Sequence, residues 1–234
     1  MKITIDVSSN MTVLKRLQAL IMGAPGSGKG TISERIVRTF DMMHISSGDI
    51  LRKMIRDKTD LGNEVNKFVV NGQLVPDDLM LKIIGNELNL LSLADRSWLL
   101  DGFPRTKPQT LNLFKIAPVQ VVISLDVPFD VIIDRVKGRW IHPSSGRVYN
   151  TDFNAPKIPG RDDITGEPLV QREDDKPESV KRRLEIYSEM AGPILEFYAE
   201  KNILTQFSGK TTNEIWPKIY KFLATKIEPK EKLT

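Results

Sequence analysis

The chain has 234 residues, 40% hydrophobic and 27% charged, with a net charge of +4, the make-up of one large soluble domain with material for a core. The absence of cysteine excludes a disulfide framework and a thiolate metal site, and no apolar run reaches the roughly 18 residues a membrane helix needs. The modest basicity fits a general preference for polyanions or a site lined by Arg and Lys for one anionic ligand; because the charge runs mix both signs, a nucleic-acid stripe is not indicated.

In chain order, residues 1–12 read as a loose extension. Lys15-Arg16 then precede a short apolar run. With one Arg before the first glycine cluster, plus Asp6, this stretch lacks the Arg-rich, acid-poor character of a mitochondrial presequence. Leu17–Met22 reads as a buried strand and leads into GAPGSGKGT, residues 23–31. From Lys29 to Phe40, the residues Ile32, Ile36, Val37 and Phe40 fall at helical spacing, so this region reads strand–loop–helix. Ser46–Val75 is largely helical in pattern. Strands are expected at Trp98–Leu100 and Val119–Val127, with an edge strand at Ile203–Phe207. Helices are expected at Pro128–Lys137 and Pro177–Lys201, the second opened by an N1 proline and interrupted at Gly192-Pro193. Strands alternating with helices imply an α/β fold with a parallel sheet covered on both faces. The polar stretch Gly138–Lys176 is too long for an ordinary connection and reads as a folded lid, with small strands near Arg147–Tyr149 and Leu169–Gln171.

The glycine loop carries the first chemistry. Gly23, Gly28 and Lys29 satisfy the phosphate-loop pattern G-x-x-x-x-G-K-[ST], but Gly30 stands where the hydroxyl is usual and Thr31 comes one place late. Glycines let successive N–H groups face phosphate oxygens, and the following helix adds its positive N-terminus. The bland alternative is a tight structural turn. Arg52, Arg105, Arg135, Arg139, Arg172 and Arg183 sit at element ends and at the two hinges of the lid. An isolated arginine is more often a solvated charge, but a ring of them suits polyphosphate ligands and a transferring phosphoryl group. Asp49 and Asp101 are the carboxylates placed to hold Mg²⁺ through water; for Asp49, a charge complementing a helix N-terminus is the competing reading.

Taken together, GAPGSGKGT, SSGD with Arg52, GQLVPDD, LLDGFPRT, HPSSGRVYN, DDITGEPL and REDDKP resemble the adenylate kinase family of nucleoside monophosphate kinases, from about Leu17 to Lys226. In that family GKGT is the normal form of the loop. The resemblance implies a P-loop NTPase-type parallel sheet flanked by helices. Its core would take residues 1–45, 76–137 and 177–234, with a helical AMP-binding insertion at 46–75 and a small β-rich lid at 138–176. It also implies a donor triphosphate on Gly26, Ser27, Gly28, Lys29, Gly30 and Thr31, with its base near Arg135, Val148, Tyr149 and Thr211. AMP would lie against Ser47, Arg52, Gln73, Leu74, Val75, Gly102, Phe103, Pro104 and Arg105, with Gln109 reading the adenine edge. Lys29, Arg105, Arg139, Arg172 and Arg183 would be catalytic, the last three clamping phosphates from the lid side and Arg172 and Arg183 also touching AMP.

Many relatives bind structural zinc in the lid. The corresponding positions here are His142, Ser145, Asp162 and Thr165, a poor zinc set because hydroxyls are weak ligands, so a hydrogen-bond network without zinc is expected. The flanks SWLLDGFPRT, GRWIHPSSGRVYN, PLVQREDDKPE and TNEIWPKIYKFLATK look most like the mitochondrial branch that uses GTP to phosphorylate AMP. That likeness implies a matrix enzyme and a monomer with small-molecule partners, without nucleic acid or membrane. ATP as donor, a cytoplasmic location and a non-catalytic nucleotide-binding protein stay open as alternatives.

Overall fold

The computed structural model describes residues 14–231, apart from 94–95, 118 and 152–153. The extension expected over residues 1–12 lies outside the described residues. Five parallel strands form the central sheet in the order β2-β3-β1-β4-β7: β1 (Gln18–Gly23), β2 (Met43–Ser46), β3 (Trp98–Asp101), β4 (Val121–Asp126) and β7 (Leu204–Ser208). Strand side chains alternate between faces, and two cores record that alternation. Ala19, Ile21, Leu99, Val121, Ile123 and Leu125 join one core, whereas Leu20, Met22, Trp98, Leu100 and Val122 join the other. Both faces are therefore apolar, which is why these strands read as unbroken hydrophobic runs.

Helices α1 (Lys29–Phe40), α6 (Phe129–Lys137) and α8 (Thr212–Ala224) pack residues such as Ile32, Ile36, Phe40, Ile132 and Ile219 on the first face. Helices α4 (Asp77–Leu93), α5 (Lys107–Ile116) and the later part of α7 (Pro177–Glu200) cover the second through Ile84, Leu113, Ile194 and Tyr198. The edge position of β7 agrees with the sequence reading, and α1 has the expected bounds. Helix α7 corrects that reading, because it runs through Gly192-Pro193 without interruption. An interior proline withdraws one N–H and costs about 3 kcal/mol; the buried Val180, Leu184, Ala191, Ile194 and Tyr198 of the same helix outweigh that loss.

Between β2 and α4 stand α2 (Ser47–Arg56) and α3 (Asp60–Val70), each started by a hydroxyl cap. The Asp49 N–H donates to Ser46 Oγ at 3.2 Å and the Gly62 N–H to Thr59 Oγ1 at 2.9 Å. The two helices meet at Gly62, where an added Cβ would sit 2.0 Å from the Met54 carbonyl oxygen. Only a residue without a side chain allows that approach.

The segment after α6 is folded. Strands β5 (Arg139–Ile141) and β6 (Val148–Asn150) pair antiparallel, and Ile141 also bridges Val170. Two readings are corrected: the second small strand near Leu169–Gln171 is a single bridge, and Arg147 lies just outside β6. The centre of this lid is polar. Buried Asp162 accepts from Arg147 Nε and Nη2 at 2.8 and 2.6 Å, Tyr149 OH at 2.9 Å and Thr165 Oγ1 at 2.9 Å. His142 Nδ1 lies 2.8 Å from Ser145 Oγ, and its Nε2 contacts Glu167. The four positions His142, Ser145, Asp162 and Thr165 thus share one hydrogen-bonded network, as expected, and Arg147, Tyr149 and Glu167 complete it.

Replacing Gly62 by Ala will force α2 and α3 apart at a point with no slack, lowering the unfolding free energy by about 1–3 kcal/mol. Urea denaturation with an unchanged midpoint would refute that close packing. In the lid, hydrogen bonds from Arg147 hold the Asp162 carboxyl well below its ordinary value of 3.8. A depressed carboxyl stabilises above its unfolded-state value and loses that stabilisation on acidification. Hydrogen exchange, corrected for intrinsic rates, should show lid amides such as Thr165 less protected at pH 3 than at pH 6. The Asp162→Asn variant should show low protection at both values.

Candidate functional site

All five strands are parallel, so their C-terminal ends share one edge of the sheet, and there a cleft of about 1510 Å³ opens. Ligands of open α/β sheets bind at this edge. The loop leaving central β1 supplies its floor. Gly26 and Gly28 have φ of 83° and 93°, a left-handed backbone that L side chains rarely adopt. A Cβ on Gly26 would also lie 2.7 Å from Val136 Cγ2, and one on Gly28 2.7 Å from Thr212 Cγ2. The loop is therefore pressed against α6 and the start of α8 and turns its backbone toward the cleft. Gly26, Gly28, Lys29, Gly30 and Thr31 line it.

Ser27 departs from the expectation. It is fully buried and does not line the cleft; its N–H donates to Ala24 O at 3.1 Å and its carbonyl accepts from Arg135 Nη1 at 3.0 Å. The tight turn consumes its N–H, so Ser27 shapes the loop rather than facing the cleft. Lys29 Nζ donates to the carbonyls of Gly23 at 2.7 Å and Ala24 at 2.9 Å. Burial pushes its ammonium down to about 8 against the pull of Asp101, and Arg105, Arg183 and Arg139 push in the same direction as burial.

The arginines converge as the sequence pattern implied: Arg52, Arg105, Arg135, Arg139, Arg172 and Arg183 all line the cleft. Arg105 Nε donates to Gly102 O at 2.6 Å, and burial lowers its guanidinium from the ordinary value. Arg52 meets Asp49 at 2.5 Å. Arg135 spans from Ser27 O to Lys210 O, 2.6 Å away, beside Thr211. The three arginines on the lid side are organised by two carboxylates that sequence reasoning left without a role. Asp174 receives both arms of Arg172, at 2.9 and 2.8 Å, and Arg183 Nη1 at 2.8 Å. Asp175 receives Arg139 Nε at 2.7 Å. Burial works to raise the Asp174 carboxyl, but Arg172 and Arg183 overrule it and hold it well below the carboxylate range. Arg183 itself is pushed down to about 10 by burial. The available signal was the acidic run Glu173-Asp-Asp175 directly after Arg172.

A smaller cavity adjoins the cleft, lined by Ser47, Arg52, Gln73, Leu74, Val75, Arg105 and Gln109 among others. Gly102, Phe103 and Pro104 line the main cleft beside it. Ser47 Oγ is buried and has no hydrogen-bond partner among the described residues, a state that a ligand acceptor would relieve. Gln109 is buried with its amide engaged at both ends, accepting from the Arg105 N–H and donating to Asp77, each at 2.7 Å. Of the residues expected near the donor base, Val148 is exposed and lines the cleft, whereas Tyr149 is buried there with its hydroxyl committed to Asp162.

Asp49 and Asp101 both line the cleft, and Asp101 is close enough to act on Lys29 of the loop. Asp101 is largely buried at the end of β3, with His44 Nε2 3.9 Å away. Hard carboxylate oxygens facing a site with room for water suit Mg²⁺ held through its hydration shell. Among the described residues no group of three or more His, Asp or Glu side chains forms a direct metal site.

Comparison with known proteins agrees with this geometry. The family model described as adenylate kinase matches residues 21–203. A Drosophila melanogaster protein named mitochondrial GTP:AMP phosphotransferase is 50% identical over 213 residues, covering 91% of this chain and 98% of that protein. Two Saccharomyces cerevisiae proteins of the same name are each 43% identical, over 94% and 90% of this chain and 98% and 97% of their own lengths. With the phosphate loop, the arginine cluster and the lid gathered on one cleft, the chain belongs to the adenylate kinase family.

Proposed function

We propose that the protein is a nucleoside monophosphate kinase that transfers a phosphoryl group reversibly from GTP to AMP, with Mg²⁺, in the mitochondrial matrix. The observation that carries the reading is the convergence of Lys29 and the arginines on a single cleft. The choice of GTP, and the location, rest on the names of relatives 43–50% identical over nearly the whole chain. The working parts are a core (1–45, 76–137, 177–234), an AMP-binding insertion (46–75) and a lid (138–176) held by hydrogen bonds without zinc. The protein acts as a monomer on small molecules, without nucleic acid or membrane. Among the described residues no helix is long and apolar enough to cross a membrane.

In this reading the loop N–H groups and Lys29 hold the donor phosphates, and Arg135 flanks the donor base beside Thr211. The acceptor monophosphate sits against Arg52 and Arg105, with its base toward Gln109 and Ser47. Its phosphate is already an anionic nucleophile, so no side chain need remove a proton. Catalysis is positioning plus stabilisation of charge on the transferring group. Arg139, Arg172 and Arg183 supply the second of these once phosphate oxygens replace Asp174 and Asp175 as their partners. Mg²⁺, held through water by Asp49 and Asp101, would neutralise phosphate charge when bound. The folded lid excludes water, which would otherwise compete as acceptor.

Initial rates with AMP as acceptor and GTP or ATP as donor test the reading directly. Fast transfer from GTP with little from ATP is expected. A preference for ATP would overturn the donor assignment alone, and no transfer from either would overturn the enzyme.

The environment of Lys29 gives a second test. A group whose value rises on binding strengthens binding below its free-state value and loses that contribution as pH climbs. With free Lys29 near 8 and triphosphate raising it, GTP binding at pH 8.5 should take up a fraction of a proton and weaken as pH rises further. Calorimetry in buffers of different ionisation enthalpy measures that uptake, and Lys29→Met should abolish it. Buffer-independent heats with the unaltered protein would overturn the pairing of a depressed Lys29 with the donor phosphates.

A further inference from the structure

The monophosphate side holds a hydrogen-bonded chain that the proposed function leaves unexplained. Asp77, at the start of α4, accepts from Gln109 Nε2 through Oδ1 at 2.7 Å and from Thr106 Oγ1 through Oδ2 at 2.9 Å. Gln109 Oε1 in turn accepts from the Arg105 N–H at 2.7 Å. Thr106 also caps α5, accepting from the Gln109 N–H at 3.2 Å. Gln109 is 1% exposed and still lines the smaller cavity.

A carboxamide has two nearly isosteric ends of opposite character, and its direction is set by its partners. Here both partners are unambiguous. A backbone N–H can only donate, so the oxygen must face Arg105. A carboxylate can only accept, so the NH₂ must face Asp77. Turning the amide over would set donor against donor and acceptor against acceptor in a buried place, losing two hydrogen bonds at once. One N–H and one oxygen lone pair are left, and their sense is fixed by the same two contacts.

That sense has a chemical consequence. A 6-aminopurine presents an acceptor, N1, beside a donor, the N6 amino group. A 6-oxopurine presents a donor, N1–H, beside an acceptor, O6. An amide that can turn over serves both edges; an amide held in one sense serves one. Resting on the reading of Gln109 as the group that faces the monophosphate base, we propose that Asp77 is a positioning residue that sets acceptor specificity by holding the Gln109 amide in one orientation. The Arg105 N–H alone would leave a turned amide only one mismatch, where Asp77 adds a second. The first turn of α4 thus contributes to base choice from outside the site.

The test compares AMP and IMP as acceptors in the unaltered protein, Asp77→Ala, Asp77→Ser and Asp77→Asn, with GTP as donor. Ser keeps a hydroxyl at the helix start, so it stands in should the Ala variant fold poorly; thermal melts check each. The unaltered protein should prefer AMP in kcat/KM. In Asp77→Ala and Asp77→Ser that preference should fall about tenfold, the worth of one good hydrogen bond, through KM for AMP, with kcat and the donor KM little changed. Asp77→Asn keeps a carbonyl oxygen for Gln109 and should retain most of the preference. Undiminished preference in folded Asp77→Ala or Asp77→Ser overturns the proposal and leaves the reading of Gln109 intact. So does an equal loss for AMP and IMP, the mark of a merely structural role. An unaltered protein that does not distinguish AMP from IMP overturns both.

Discussion

Positive charge crowded into one cleft around a buried lysine is the constraint around which this molecule is built. Lys29 and the guanidinium groups of Arg105, Arg139 and Arg183 are close enough for each to depress the Lys29 ammonium, with burial the larger cause. Like charges at such range repel strongly wherever water cannot screen them. Without a ligand, the arrangement persists because carboxylates are threaded through it. Asp174 holds Arg172 and Arg183, Asp175 holds Arg139, and Asp49 holds Arg52. Removing one member of such a set would leave an uncompensated buried charge, which costs far more than an exposed ion pair contributes.

The sheet makes that concentration of charge possible. Five parallel strands end on one edge, and each C-terminal end leads to a different part: the glycine loop after β1, Ser47 and Asp49 after β2, Arg105 after β3, Arg135 on the helix after β4 and Thr211 after β7. None of these charges has to enter the core, since the strands themselves are filled by Leu, Ile and Val on both faces. The stability comes from burial in two apolar layers, and the chemistry is confined to loops that those layers hold still.

Much of this was legible in the sequence because it is local. The glycine loop and the four-residue spacing of Ile32, Ile36 and Phe40 bounded α1 correctly, and arginines at element ends marked the cleft. What escaped depends on distance or on competition. Strand β2 is four residues with His44 exposed in its middle, too short for alternation to register. The Gly192-Pro193 pair reads as a break, and only tertiary burial keeps α7 continuous. Ser27 belongs to the loop motif yet faces away from the cleft, because its direction depends on a turn closed onto Ala24. Asp77 lies 32 residues from Gln109, and no local pattern announces a contact made by two helix starts meeting across a fold. Asp174 and Asp175 have no role in the sequence until the arginines they face are seen in space.

The same two carboxylates bear on how the lid and the site can communicate. Asp174 and Asp175 form a single turn at the end of the lid segment, directly before α7. Their partners come from both sides of that turn: Arg139 at the lid's first strand, Arg172 at its last residues and Arg183 on α7. In the proposed function, a phosphate that takes these arginines would displace the carboxylates of this turn. The exchange trades one charge-assisted pair for another, so its electrostatic cost is small, but it frees the acidic turn from the groups that fix it. Among the described residues, none of the lid joins either apolar core of the sheet; its centre holds Asp162 and His142, and hydrogen-bonded polar networks keep their shape as units. On the proposed function, movement is therefore expected at this turn while the polar network around Asp162 stays intact.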